Sequence, residues 1–148
     1  MTAEVKLYTL AKANATLQAD LGTGNGFRWF DRQIKQGAFG AGKTCVRVRR
    51  ISTQSGYNQG GQMNLEAIRF QIDVLDTIAE TARQVAIDIT NFMAGVDLAS
   101  NNQFGSPVLG INQAPCFQMS QRSGMDAELE PEAYIESMDW RVYNRTDF

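Results

Sequence analysis

Hydrophobic positions change their period several times along this chain, and each change predicts an element. Leu7, Leu10, Ala11, Leu17 and Leu21 recur at about 3.6 residues, which predicts one helix over Thr2 to Leu21. Thr2 suits the N-cap, Glu4 the first turn and Gly22 the stop. Thr23 to Gly26 is turn chemistry, and Phe27 to Phe30 reads as a short aromatic strand. From Thr44 to Thr53, Val46 and Val48 alternate with Cys45, Arg47 and Arg49, a strand pattern. The clearest strand runs from Glu66 to Leu75. Ile68, Phe70, Ile72 and Val74 share one face, and Ala67, Arg69, Gln71 and Asp73 the other. Such alternation marks an antiparallel strand with one apolar face.

A second helix is predicted from Ile78 to Ala94. Thr77 with Glu80 forms a capping box, and Ile78, Ala82, Val85, Ile89 and Phe92 form the buried stripe. Two further strands follow, Cys116 to Arg122 and Tyr134 to Arg145, the second with Tyr134, Met138, Trp140 and Val142 alternating with charged positions such as Asp139. Residues 31–43, 54–65 and 96–115 are rich in Gly, Asn and Gln or carry Pro, and read as long loops. The order is α-β-β-β-α-β-β, without a βαβ rhythm. The expected fold is therefore α+β: a mostly antiparallel sheet of about five strands with two helices on one face. At 148 residues the chain, 1–148, is expected to be a single domain.

Composition narrows the chemistry. The chain has no His, which removes His-based nucleophile activation, His general bases and His metal ligands together. Cys45 and Cys116 are too few for a disulfide framework or a four-cysteine zinc site, and read as buried small hydrophobes. A net charge of −2 disfavours a generic nucleic-acid binder. No apolar run approaches ~18 residues, so no transmembrane helix is expected. The N-terminal residues lack a basic stretch before an apolar core, so no secretory leader is expected, and the compartment suggested is a reducing cytoplasm. With 9 Asn, 12 Gln and 13 Gly, the neutral polar groups suit contact surfaces and loops better than a charged, freely diffusing enzyme.

One stretch invites a catalytic reading. Gly37 to Thr44 (GAFGAGKT) matches the phosphate-binding G-x-x-x-x-G-K-[ST] pattern. That motif needs a buried apolar strand before it and a helix after it. Here the polar Asp31 to Gln36 precedes it and the alternating Thr44 to Arg50 follows it, so a Gly-rich hairpin loop is expected. Nucleotide binding through Lys43 is the competing hypothesis. Asp126, Glu128, Glu130, Glu132 and Glu136 carry no metal-loop spacing and read as a solvated face. Arg47, Arg49 and Arg50 read as an outward strand face, or as a group that pairs with acids on a neighbouring subunit, with a phosphate-contacting patch as the competing reading. No catalytic residue, cofactor or metal is expected.

Three segments, within the element order as a whole, resemble a known family. They are Leu7-Tyr8-Thr9-Leu10 in the opening helix, Arg69 to Val74 ahead of a helix, and the closing Met138 to Tyr143. Over nearly its whole length the chain resembles the tail terminators, also called tail completion or tail-to-head joining proteins, of long-tailed bacteriophages. It departs where that family often has an aromatic-Pro turn ahead of the second strand, since Gly37 to Thr44 stands there instead. The resemblance implies a structural virion protein at the tail-neck junction, made in the host cytoplasm. It implies a ring, usually a hexamer, that ends growth of the tail tube and joins the tail to the head-side connector, with the genome passing through its lumen. Another neck protein, such as a head-side stopper, is the alternative. Within a ring, Arg47, Arg49 and Arg50 are expected to meet Glu128, Glu130 and Glu132 of a neighbour.

Overall fold

A computed structural model describes residues 2–35, 37–58, 61–97, 108–109, 116–126 and 132–145. The elements in chain order are α1 (Ala3–Ala13), α2 (Ala15–Leu21), β1 (Trp29–Asp31), β2 (Cys45–Asn58), β3 (Gly61–Asp76), α3 (Ala79–Met93), β4 (Val96–Asp97), β5 (Val108–Leu109), β6 (Phe117–Asp126) and β7 (Ala133–Arg145). Five strands form one sheet in the order β1-β2-β3-β7-β6, and β4 pairs with β5 separately. All neighbours in the main sheet are antiparallel except β1 and β2, where Trp29 lies opposite Val46 in a parallel pair. The expected α+β architecture is thus present, with three α-helices rather than two.

The core follows the alternation in the sequence. Val46 and Val48 of β2, Ile68, Phe70, Ile72 and Val74 of β3, and Met138, Trp140 and Val142 of β7 are buried on one sheet face. Registers place Phe70 opposite Trp140, Ile72 opposite Met138 and Ile68 opposite Val142. Against this face pack Leu7, Leu10, Leu17 and Leu21 from α1 and α2, and Ala82, Val85, Ala86, Ile89, Phe92 and Met93 from α3. Tyr8, Phe27, Trp29 and Phe92 form a chain of ring contacts, with centroids 6.0, 6.3 and 6.4 Å apart, that closes the β1 end.

Four local expectations are corrected. The single helix over 2–21 is two helices. Asn14 leaves the helical region at ψ 121°, and its Oδ1 accepts the Leu17 N–H at 3.1 Å. A mid-helix Asn offers the backbone a cap in place of a further turn, and here the cap wins. The 54–65 loop is instead a hairpin arm, with Asn58 paired to Gly61, and bulges interrupt β2 between Arg50 and Ser52 and between Ser55 and Tyr57. Ladder hydrogen bonds need no apolar side chains, so a polar, Gly-containing strand escapes a hydrophobic-pattern reading. The Thr77–Glu80 box is absent. Asp76 Oδ1 accepts the Ile78 N–H at 2.8 Å, and Ile78 is 57% exposed rather than buried. The acidic run is not uniformly solvated either. Glu136 is buried and accepts from Ser123 at 2.6 Å and Gln121 at 3.2 Å, with Arg83 at 3.7 Å. The strand at 27–30 lies slightly later, at Trp29–Asp31, and most of 96–115 falls outside the described residues. At Gly22 the helix-stop reading holds: φ is +98°, and an added Cβ would stand 2.5 Å from the Gly26 carbonyl oxygen.

A buried polar chain ties α1 to the sheet. Lys6 Nζ donates to Asn144 Oδ1 at 2.6 Å, and Asn144 donates to Glu66 at 2.9 Å. Arg50 sits 4.0 Å from Glu66 and grips Glu4 with two bonds of 2.7 and 2.8 Å. Between α2 and α3, Asp20 faces Asp88. Burial, a hydrogen bond with Asp88 and the Asp88 charge together push the Asp20 carboxyl up to about 7.

Two outcomes are expected. Ile89→Ala should cost roughly 2–5 kcal/mol in denaturant unfolding, through the cavity left under the helices. Asp20 holds its proton more tightly folded than unfolded, so its contribution to stability falls as pH rises from 3.8 through about 7. Asp20→Asn should therefore raise the melting temperature more at pH 8 than at pH 5, and an equal shift at both values would count against the carboxyl pair.

Candidate functional site

The sheet face turned away from the helices is where charge gathers. Arg47 and Arg49 of β2, Arg69, Gln71 and Asp73 of β3, and Ser137, Asp139 and Arg141 of β7 lie there, and the registers set Arg47 opposite Asp73, Asp73 opposite Ser137, Gln71 opposite Asp139, and Arg69 opposite Arg141. An Asp on a polar strand face is ordinarily wet. Here the Asp73 side chain is only 1% exposed. Its Oδ2 accepts from Arg47 Nη2 at 2.8 Å, Arg47 Nε at 3.2 Å and Arg49 Nη2 at 3.2 Å. Its Oδ1 accepts from Ser137 Oγ at 2.7 Å and Gln71 Nε2 at 3.0 Å. Burial alone would raise the Asp73 carboxyl. The bonds from Ser137, Gln71 and Arg47 outweigh it and hold the carboxyl below its ordinary value.

A second buried carboxylate lies one strand over. Asp139 Oδ2 accepts from Arg69 Nη2 at 2.6 Å and Ser120 Oγ at 3.3 Å, with Arg122 at 3.9 Å. Two acids are thus roofed by four arginines drawn from β2, β3 and β6. The guanidinium groups are pinned from below and their outer edges face solvent. Charge is thus fixed in place on this face, an arrangement that suits contact with another surface. Among the described residues, no group of three or more His, Cys, Asp or Glu is placed to hold a metal ion.

The residues singled out from the sequence divide. Arg47 and Arg49 lie on this outer face. Arg50, the next position, lies on the helix side, held by Glu4 and stacked 5.9 Å from the Phe70 ring. Glu132 is exposed just ahead of β7, whereas Glu128 and Glu130 lie outside the described residues. The Gly37 to Thr44 stretch joins β1 to β2, and Thr44 leads into a strand where a phosphate-binding loop would lead into a helix. The Thr44 hydroxyl is already given to the buried Asp76 carboxylate. Lys35 and Lys43 line a shallow cleft of about 370 Å³ beside Phe27 and Phe30. Cys45 is buried, which pushes its thiol up to about 11, and Cys116 Sγ lies 3.5 Å from the Val96 carbonyl. The importance of Asp73 and Asp139 was missed in the sequence. The available signal was Arg and Asp recurring at the polar positions of several predicted strands.

Removing Asp73 tests the arrangement. Asp73→Ala leaves five donor groups on four side chains without their acceptor and should cost about 1–3 kcal/mol. Since the folded carboxyl sits below 3.8, the stability it provides is present above that pH and is lost as acid carries the pH down through the folded value. Acid unfolding of the variant should accordingly be shallower than that of the parent chain.

No protein-family model matches this chain, and no curated protein does. Its fold is similar to that of a chain in a solved structure titled "Virion of native gene transfer agent (GTA) particle". The two superpose with a TM-score of 0.65 at 18% sequence identity, covering 96% of this chain and 95% of the other.

Proposed function

We propose that this chain is a structural, non-enzymatic protein of a phage-like virion, and that within it the chain acts as a tail terminator. The observation that carries the first part is the shared fold, which extends over almost the full length of both chains and has its counterpart in a virion particle. The second part rests on the sequence resemblance. Two of its three segments, Arg69 to Val74 and Met138 to Tyr143, are neighbours in the sheet and pair residue by residue, so the likeness falls on the centre of the fold. In this reading the subunits close a ring, usually of six, on the last ring of the tail tube. They end tube growth there and offer the other surface to the head-side connector while the genome passes through the lumen.

Ring closure by rotation uses two different surfaces of each subunit. The roofed sheet face supplies a basic one through Arg47 and Arg49, and the stretch holding Glu128, Glu130 and Glu132 supplies an acidic one. Complementary charge of this kind fixes register more than it adds affinity.

The test is assembly with purified tail tubes. Tubes polymerised with this chain present should stop at a defined length and carry a ring at one end in electron micrographs. Tubes that grow unchecked, with the chain bound at the connector instead, would replace the terminator reading with a head-side stopper. Lys43→Ala should leave the result unchanged. Saturable Mg²⁺-dependent ATP or GTP binding would point to the nucleotide-binding alternative.

A further inference from the structure

Arg141 stands apart on the outer sheet face. It lies directly opposite Arg69 in the β3–β7 register. Like charges in that position destabilise a strand pair. Arg69 turns to Asp139 at 2.6 Å. Arg141 has no carboxylate at ion-pair distance among the described residues, and its guanidinium rests 5.5 Å from the Tyr143 ring, exposed to solvent. Between the two arginines opens a cleft of about 170 Å³, lined also by Ser52, Gln54, Ala67 and Met119. Guanidinium, hydroxyl and amide donors surround it, and the Ala67 methyl and the half-exposed Met119 thioether add an apolar wall.

That lining suits a carboxylate carried on a partly apolar chain. The sequence holds one such stretch: from Asp126 to Glu132, four acids alternate with Ala127, Leu129 and Pro131, without a basic residue. Within one subunit the described ends of that stretch stand at the far end of β7 from the cleft, Asp126 being paired with Ala133. Ala133 begins β7 and Arg141 lies eight residues along it, roughly 27 Å away at the usual strand rise. A second copy brings them together without strain. Nucleic-acid phosphate is the weaker candidate, because a chain of net charge −2 does not draw a polyanion toward it.

We propose that the Arg69–Arg141 cleft receives a carboxylate from the 126–132 stretch of a second copy of this chain, with Arg141 as the anchoring residue. The contact rests on the ring reading and names the residue on which its basic surface turns.

The experiment has three arms, each with the parent chain, Arg141→Glu and Arg141→Lys, after thermal melting has shown that the variants fold alike. Sedimentation velocity measures self-association. Fluorescence anisotropy measures binding of a labelled peptide of residues 125–136, and of a short DNA duplex. Arg141→Glu should weaken self-association about tenfold or more and abolish peptide binding. Arg141→Lys should retain part of both, and Glu130→Arg with Glu132→Arg should restore association to the Arg141→Glu chain. A parent chain that stays monomeric yet binds the peptide through Arg141 supports this contact and counts against the ring. Rings that form equally well with Arg141→Glu, and a peptide that binds both chains alike or neither, overturn the contact and leave the ring standing. Duplex bound by the parent chain and lost with Arg141→Glu, with no peptide binding, overturns it in favour of phosphate.

Discussion

The register of β3 between β2 and β7 is the constraint on which the rest of the structure depends. Side chains alternate along a strand, so a slip of one residue would carry Asp73 into the apolar core and Ile72 out of it. Both faces of β3 resist that slip. On one, Ile68, Phe70, Ile72 and Val74 are wholly buried beneath the helices. On the other, Asp73 bonds across both neighbouring strands, to Arg47 on β2 and Ser137 on β7. Arg69 adds a further link to Asp139 on β7. A carboxylate buried this way is a specificity device more than a source of stability, since its desolvation offsets much of what the arginines return.

From that central strand the two surfaces acquire different characters. The helix side is closed by apolar packing and by the Lys6–Asn144–Glu66 chain, which would lose its partners if α1 moved. The other side remains open, and its arginines are oriented from beneath by Asp73 and Asp139. Side chains already held in place lose less freedom on docking than free ones. Such a face is suited to meeting another protein surface in one geometry.

The same economy explains why a phosphate-binding pattern can stand in this chain without the architecture that makes one. Gly37 and Gly42 adopt positive φ to turn the chain between β1 and β2, and Thr44 secures the return to β2 by bonding Asp76. Asp76 in turn accepts the Ile78 N–H just ahead of α3. The Gly and Thr of the pattern are thus explained by the connection between β1 and β2 and its bond to Asp76.

Much of this was legible in the sequence, because period and alternation are local. The α+β class, the strands at Val46–Val48, Ile68–Val74 and Met138–Val142, and the helix stripe from Ala82 to Phe92 all follow from side chains repeating on one face. Where a local pattern was silent or ambiguous, tertiary contacts decided. Asn14 splits the first helix because its side chain caps the next one, and the arm from Gln54 to Leu65 pairs through backbone groups that any residue carries. Asp76 rather than Thr77 holds the entry to α3, through the Ile78 N–H, because it already sits at the end of β3 beside Thr44. Above all, the sequence determined that Arg47, Asp73 and Asp139 occupy polar strand positions, but not that the two acids would be buried. Their burial depends on which strands become neighbours and in what register, a relation between residues tens of positions apart that no local period encodes.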